Sequence, residues 1–121
     1  SFGAINLSPD CEEFLRTTLK KKDRPTAIFA IGAVLALQVN RIFTDLGLVA
    51  GRDIALVAYD DPAFLEVAPV PIATVVQPFD DMVKRACSYL TGLLRDEEPH
   101  LPSTDYVRPT LMARQSLHKN N

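Results

Sequence analysis

Pro25-Thr26-Ala27-Ile28-Phe29-Ala30 and Asp53-Ile54-Ala55-Leu56-Val57-Ala58-Tyr59-Asp60-Asp61-Pro62 decide the fold of this chain. Each contains a short apolar run that does not alternate, Ala27–Ala30 in the first and Ile54–Ala58 in the second, and an apolar-striped helix pattern lies between them. Continuous apolar runs of four to eight residues around a helix of 3.6-residue period read as parallel strands buried on both faces. Ile72 to Val76 adds a third run, followed by Gln77-Pro78-Phe79. In an open α/β sheet ligands gather beyond the carboxyl ends of the strands, and Asp60 stands at such an end. The sequence therefore predicts a ligand-binding α/β domain with a parallel sheet.

Working outward, Ser8-Pro9-Asp10 combines an N-cap, a proline at the first helical position and an early acid. Cys11, Phe14, Leu15 and Leu19 share the face this helix is expected to bury. Lys20, Lys21 and Lys22 suit its negative C-terminal end, and Pro25 stops it. The second helix, Val34 to Leu46, carries Leu35, Val39, Ile42, Phe43 and Leu46 on one stripe, with Gly47 placed for a left-handed end. Val34 and Leu37 widen the stripe beyond what one sheet face covers, so its flank is expected to meet another subunit. A proline-rich loop spans Pro62 to Pro71. A third helix from Asp80 to Leu94 presents Met82, Val83, Ala86, Tyr89, Leu90 and Leu93, a face expected to be shielded by self-association or by exchange with another copy. Ala4 to Leu7 is read as a strand end, Asp96 to Ser103 as a surface connection, and Tyr106 to Leu117 as one or two edge strands.

With 121 residues there is room for one domain, yet three or four strands and three helices make it thin. The start at Ser1-Phe2-Gly3 lacks Met, and part of a larger domain is expected. Hydrophobic residues at 47% and charged ones at 23% are ordinary for a globular chain. A net charge of −2 gives no footprint for DNA or an anionic membrane. No apolar run approaches the roughly 20 residues of a membrane helix. Cys11 and Cys87 lack metal-ligand spacing and are expected to fill apolar space in a reducing compartment, the cytoplasm. His100 and His118 sit in polar stretches, so neither a metal nor a cofactor is expected. There is no phosphate loop, nucleophile elbow or zinc-binding helix motif, and only 5 glycines in total. A receiver-like acid cluster at Asp60-Asp61 lacks its further acid after Ala30 and its lysine after Val76. Catalysis is not expected.

The runs at Pro25–Ala30, Leu46-Gly47-Leu48, Asp53–Asp61, Thr74-Val75-Val76-Gln77-Pro78 and Leu111-Met112-Ala113-Arg114-Gln115-Ser116 occur in that order. Together they resemble the C-terminal part of the lactose/galactose repressor family, over nearly the whole chain. The resemblance implies a bacterial transcription regulator whose helix-turn-helix lies outside this sequence. Its effector domain, like periplasmic sugar-binding proteins, is built of two α/β subdomains with a sugar or nucleoside between them. On that pattern residues 1–76 are the second half of the C-terminal subdomain, 77–110 a crossover and a helix of the other, and 111–121 a return strand and tail. It implies effector contacts at Asp60, Gln77 and Phe79, at the start of the second helix (Gly32, Ala33), and near Leu7. It further implies a homodimer through Val34, Leu37, Arg41, Pro62 and Phe64, and an operator DNA bound by the absent segment.

The chemistry of these residues suits that reading. An ionised carboxylate accepts from two adjacent hydroxyls, an amide both donates and accepts, and a phenyl ring covers the apolar face of a sugar. Asp61, by contrast, is read as turn chemistry. The family usually carries Ala-Asn-Asp after the first strand, where this chain has Ile31-Gly32-Ala33. Two side-chain hydrogen-bonding groups are thereby lost, which makes a conventional sugar inducer less favoured. A periplasmic solute-binding protein of a transport system shares the architecture and is the alternative.

Overall fold

The structure, a computed structural model, describes residues 6–95 and 104–117. In chain order the elements are α1 (Pro9–Leu19), β1 (Ala27–Ala30), α2 (Ala33–Asp45), β2 (Ala55–Tyr59), a 3₁₀ turn (Ala63–Leu65), β3 (Ala73–Val76), α3 (Phe79–Leu94) and β4 (Thr110–Met112). The strands form one sheet in the order β1-β2-β3-β4. β1 pairs with β2 in parallel (Ile28 opposite Leu56), and β2 with β3 (Ala58 opposite Thr74). The predicted α/β class and parallel sheet are thus present. The chain divides into two compact units, one of residues 1–76 with 111–121 and the other of residues 77–110.

In the first unit, Ser8 caps α1 as its sequence predicts, its hydroxyl accepting from the Cys11 amide at 3.2 Å. Burial then selects among the apolar residues. α2 sets Ala36, Val39, Ile42 and Phe43 against Ala30, Leu56, Ala58 and Ile72, and Leu19 closes the cluster. Full burial of a side chain the size of Ile42 or Phe43 stabilises by about 1.5–3 kcal/mol. Val34 and Leu37 lie outside the cluster and are exposed, as the width of the stripe predicts. Gly47 takes φ 71° just beyond the end of α2.

Several expectations are corrected. Only Leu19 of the α1 face is fully buried, while Phe14 is 72% exposed and Cys11 is exposed too. Beside the packing of Leu15 and Leu19, α1 is linked to α2 by Arg16, which reaches Asp45 (2.6 Å) as well as Glu12 (2.8 Å) of its own helix, and by Arg41 to Glu12 (3.5 Å). β1 is not buried on both faces: its even-numbered residues join the core, but Phe29 is 54% exposed and meets Tyr59 edge-on at 6.3 Å. Asn6 and Leu7 form no strand, and residues 4 and 5 lie outside the described residues. The stretch from Tyr106 to Leu117 does supply one edge strand, Thr110–Met112, as expected. The connection around Asp96 to Ser103, His100 and His118 also lie outside the described residues.

The second unit is built on α3, whose first turn carries Asp80 and Asp81 as the helix dipole favours. Asp105 accepts from Arg85 at 2.6 Å and from the Tyr89 hydroxyl at 2.9 Å, tying the chain beyond the helix back to it. Met82, Val83, Leu90 and Leu93 are all exposed. Cys87 is exposed as well rather than filling apolar space.

Candidate functional site

The carboxyl ends of β1 and β2 carry the first unit's share of the predicted site. After β1 the chain turns at Gly32, whose φ of 137° lies where residues with a Cβ are strained. Gly32 is the N-cap of α2 and supplies no side-chain hydrogen bond; its own amide donates to the Ala30 carbonyl at 2.9 Å. The sequence Ile31-Gly32-Ala33 therefore offers only backbone groups at this rim. Leu7 is half-buried against the core, its amide donating to the Gln38 side-chain oxygen at 2.8 Å. The Asn6 side chain accepts from the amide nitrogen of the same Gln38.

After β2, Asp60 takes φ 72°, and it is the one non-glycine residue with positive φ among the described residues. Aspartate tolerates the left-handed region better than most residues because its short polar side chain bonds locally. The Asp60 amide donates to the Val75 carbonyl at 3.0 Å, so the turn is registered on β3.

The neighbouring Asp61 is more than a turn residue. Arg114 grips its carboxylate with both guanidinium arms, at 2.6 and 3.0 Å, and the Thr74 hydroxyl donates to it at 2.9 Å. Arg114 also donates to the Ile72 carbonyl at 3.0 Å, and its side chain is only 11% exposed. Arg114 holds the Asp61 carboxyl below the ordinary carboxylate range; partial burial opposes this and the Thr74 hydrogen bond supports it. Two residues on, Ser116 is fully buried, its hydroxyl accepting from the Ala73 amide (2.7 Å) and donating to the Leu56 carbonyl (2.6 Å). Residues 114–116 thus sew β2 to β3 beneath the Asp60 turn. Sequence reasoning assigned no role to Arg114 or Thr74. The available signal was a lone arginine among the otherwise uncharged residues of the motif Leu111–Ser116.

The remaining predicted contacts belong to the second unit. Gln77 is half-buried, and its carbonyl accepts from the Phe79 amide at 2.9 Å. Phe79 opens α3 and is 56% exposed. The residues predicted for pairing, Val34, Leu37, Arg41 and Phe64, are exposed on the first unit, and Pro62 is half-buried there. Among the described residues no group of three or more His, Cys, Asp and Glu is placed to hold a metal ion.

Residues 4–117 match the periplasmic binding protein-like domain family. The HTH-type transcriptional repressor PurR of Vibrio vulnificus is 31% identical over 100 residues, spanning 83% of this chain and 30% of that protein. Among solved structures, a LacI family transcriptional regulator from Bifidobacterium animalis superposes with a TM-score of 0.78 at 22% identity, over 93% of this chain and 41% of that one. The Lac repressor dimer bound to operator and the anti-inducer ONPF superposes with a TM-score of 0.75 at 23% identity, over 88% and 37%. The chain spans about a third of the length of such curated relatives, and the two structural likenesses speak for the fold.

Proposed function

The chain belongs to the periplasmic binding protein-like domain family, as part of an effector domain of the lactose/galactose-repressor (LacI/GalR) kind, and from this we propose that it senses a small molecule for a bacterial transcription regulator. Its curated relatives are transcriptional repressors, which supports a regulator rather than an enzyme. The supporting observation from the fold is the Asp60 turn at the carboxyl end of β2, beside a chain that leaves the first unit at Gln77 and rejoins it at Leu111. In this reading residues 1–76 are the second half of one effector subdomain, 77–110 cross to the other, and 111–121 return.

The effector sits between the two subdomains. Asp60 accepts its hydroxyl or amine protons, Gln77 bonds its polar edge and Phe79 covers an apolar face. Gly32 and Ala33 contribute backbone only, and Leu7 bounds the site. The ligand is sugar-like or nucleoside-like but asks for fewer side-chain hydrogen bonds than a conventional sugar inducer. Its mechanism is a population shift: the effector binds one subdomain arrangement more tightly, and a factor of ten in that preference amounts to about 1.4 kcal/mol passed on to operator affinity. Two copies pair through Val34, Leu37 and Arg41 of α2 with Pro62 and Phe64, in the cytoplasm, and DNA is bound by a segment outside this sequence.

Reading the gene upstream of Ser1 tests this most directly. A helix-turn-helix roughly 200 residues earlier, the span of two α/β lobes, is expected. A secretory signal with no DNA-binding segment would make the protein a periplasmic solute receptor instead.

A further inference from the structure

We propose that Arg114 is the positioning residue for Asp60: its two-armed grip on Asp61 holds the preceding residue in the left-handed conformation from which its carboxylate meets the effector. The second half of that statement rests on the effector reading above; the first stands on geometry alone.

A residue with a Cβ stays at φ 72° only where its surroundings over-determine the backbone. Two anchors on consecutive residues do so here. The Asp60 amide is bonded to the Val75 carbonyl. One peptide later, the Asp61 carboxylate is fixed by Arg114 and Thr74. Both anchors lie on adjacent residues of β3 or on a group bonded to it, since Arg114 also donates to the Ile72 carbonyl and the Thr74 hydroxyl. The planar guanidinium fork fixes the orientation of the carboxylate as well as its distance, which a point charge does not. Between the anchors the chain has one peptide in which to turn, and the observed solution places Asp60 in the left-handed region. Glu66, at 3.8 Å from Arg114 and largely exposed, adds little to the grip.

The test is nuclear magnetic resonance on the isotopically labelled 121-residue chain, reading the φ-sensitive amide–Hα coupling and Cα shift of Asp60 in wild type, Arg114→Lys, Arg114→Gln and Asp61→Asn. Asp60 is expected to lose its left-handed signature in Arg114→Gln and Asp61→Asn while Leu56 and Ala58 keep the extended signature of β2. Arg114→Lys, which retains the charge without the fork, is expected not to restore it. Retention of the signature in a folded Arg114→Lys chain would overturn the proposal, and that variant serves if Arg114→Gln fails to fold. The effector reading is separated by titrating D-ribose into wild type and Asp60→Asn. Ribose binding indifferent to Asp60→Asn would defeat Asp60 as a contact while leaving the grip of Arg114 to be judged by the spectra.

Discussion

Gly47 and Gly51 have nearly the same backbone, φ 71° and φ 80°, but different surroundings, which makes them a matched pair for testing how the C-terminal segment is docked. Alanine at either position incurs about 1–2 kcal/mol for a left-handed residue with a Cβ. At Gly47 that is the whole cost, because an added Cβ meets nothing within 4 Å. At Gly51 the same atom would lie 1.9 Å from the Gln115 carbonyl oxygen and 3.1 Å from the Ser116 Cα. The segment would have to retreat by on the order of 1 Å to reach even a tight contact. Ser116 holds four hydrogen bonds in that segment: its amide to Pro71, its carbonyl from Leu56, and its hydroxyl with Ala73 and Leu56. Each is worth about 0.5–1.5 kcal/mol net, and losing half of them adds about 1–3 kcal/mol. Gly51→Ala should therefore destabilise by about 2–5 kcal/mol and Gly47→Ala by about 1–2 kcal/mol, read as midpoints in urea denaturation. Equal midpoints would show that residues 114–116 do not run against the Gly51 turn. Because Arg114 travels with that segment, Gly51→Ala should also loosen the Asp60 turn, which Gly47→Ala should leave alone.

Further outcomes can be checked with single substitutions. Ser116→Ala strands the buried Ala73 amide and should cost about 1–3 kcal/mol in urea denaturation with an unchanged slope. Phe43→Ala, at a fully buried position, should cost about 3–5 kcal/mol by the same assay. Asp61 has a depressed folded pKa, so the unfolded chain binds its proton first as pH falls. Its contribution is complete above about pH 4 and fades as pH drops through the lower folded value. The difference in thermal midpoint between wild type and Asp61→Asn should accordingly shrink on acidification; a gap constant down to pH 2 would count against the ion pair. Leu37→Asp on the exposed flank of α2 should lower the sedimentation coefficient at micromolar concentration if the chain pairs there, and an unchanged value speaks against that interface.

The helices and strands were legible because their signals are local. Ser8-Pro9 starts α1, and Gly47 ends α2 in the left-handed conformation that glycine there suggests. The stripe Val39, Ile42 and Phe43 is the buried side of α2. Legibility failed where exposure depends on what else is packed nearby. Phe14, Cys11 and Cys87 have helical apolar spacing yet face outward, and Phe29 sits in an apolar strand with more than half its surface open. Periodicity identifies a face; it does not supply the element that covers it.

The same division runs through the candidate site. The sequence by itself determined that two apolar strands flank a helix and that an acid pair stands at the end of the second, since strand type and turn chemistry are written in adjacent residues. It also carried the ordered motifs of the repressor family and the loss of polar side chains at Gly32 and Ala33. Which of the two acids is gripped and which is left at the turn was decided only by tertiary structure. Asp61 finds Arg114 from 53 positions away, and Ser116 reaches Leu56 from 60. Such pairs leave no periodic trace, because a buried charge or hydroxyl is satisfied by whichever partner the folded sheet brings within hydrogen-bond reach.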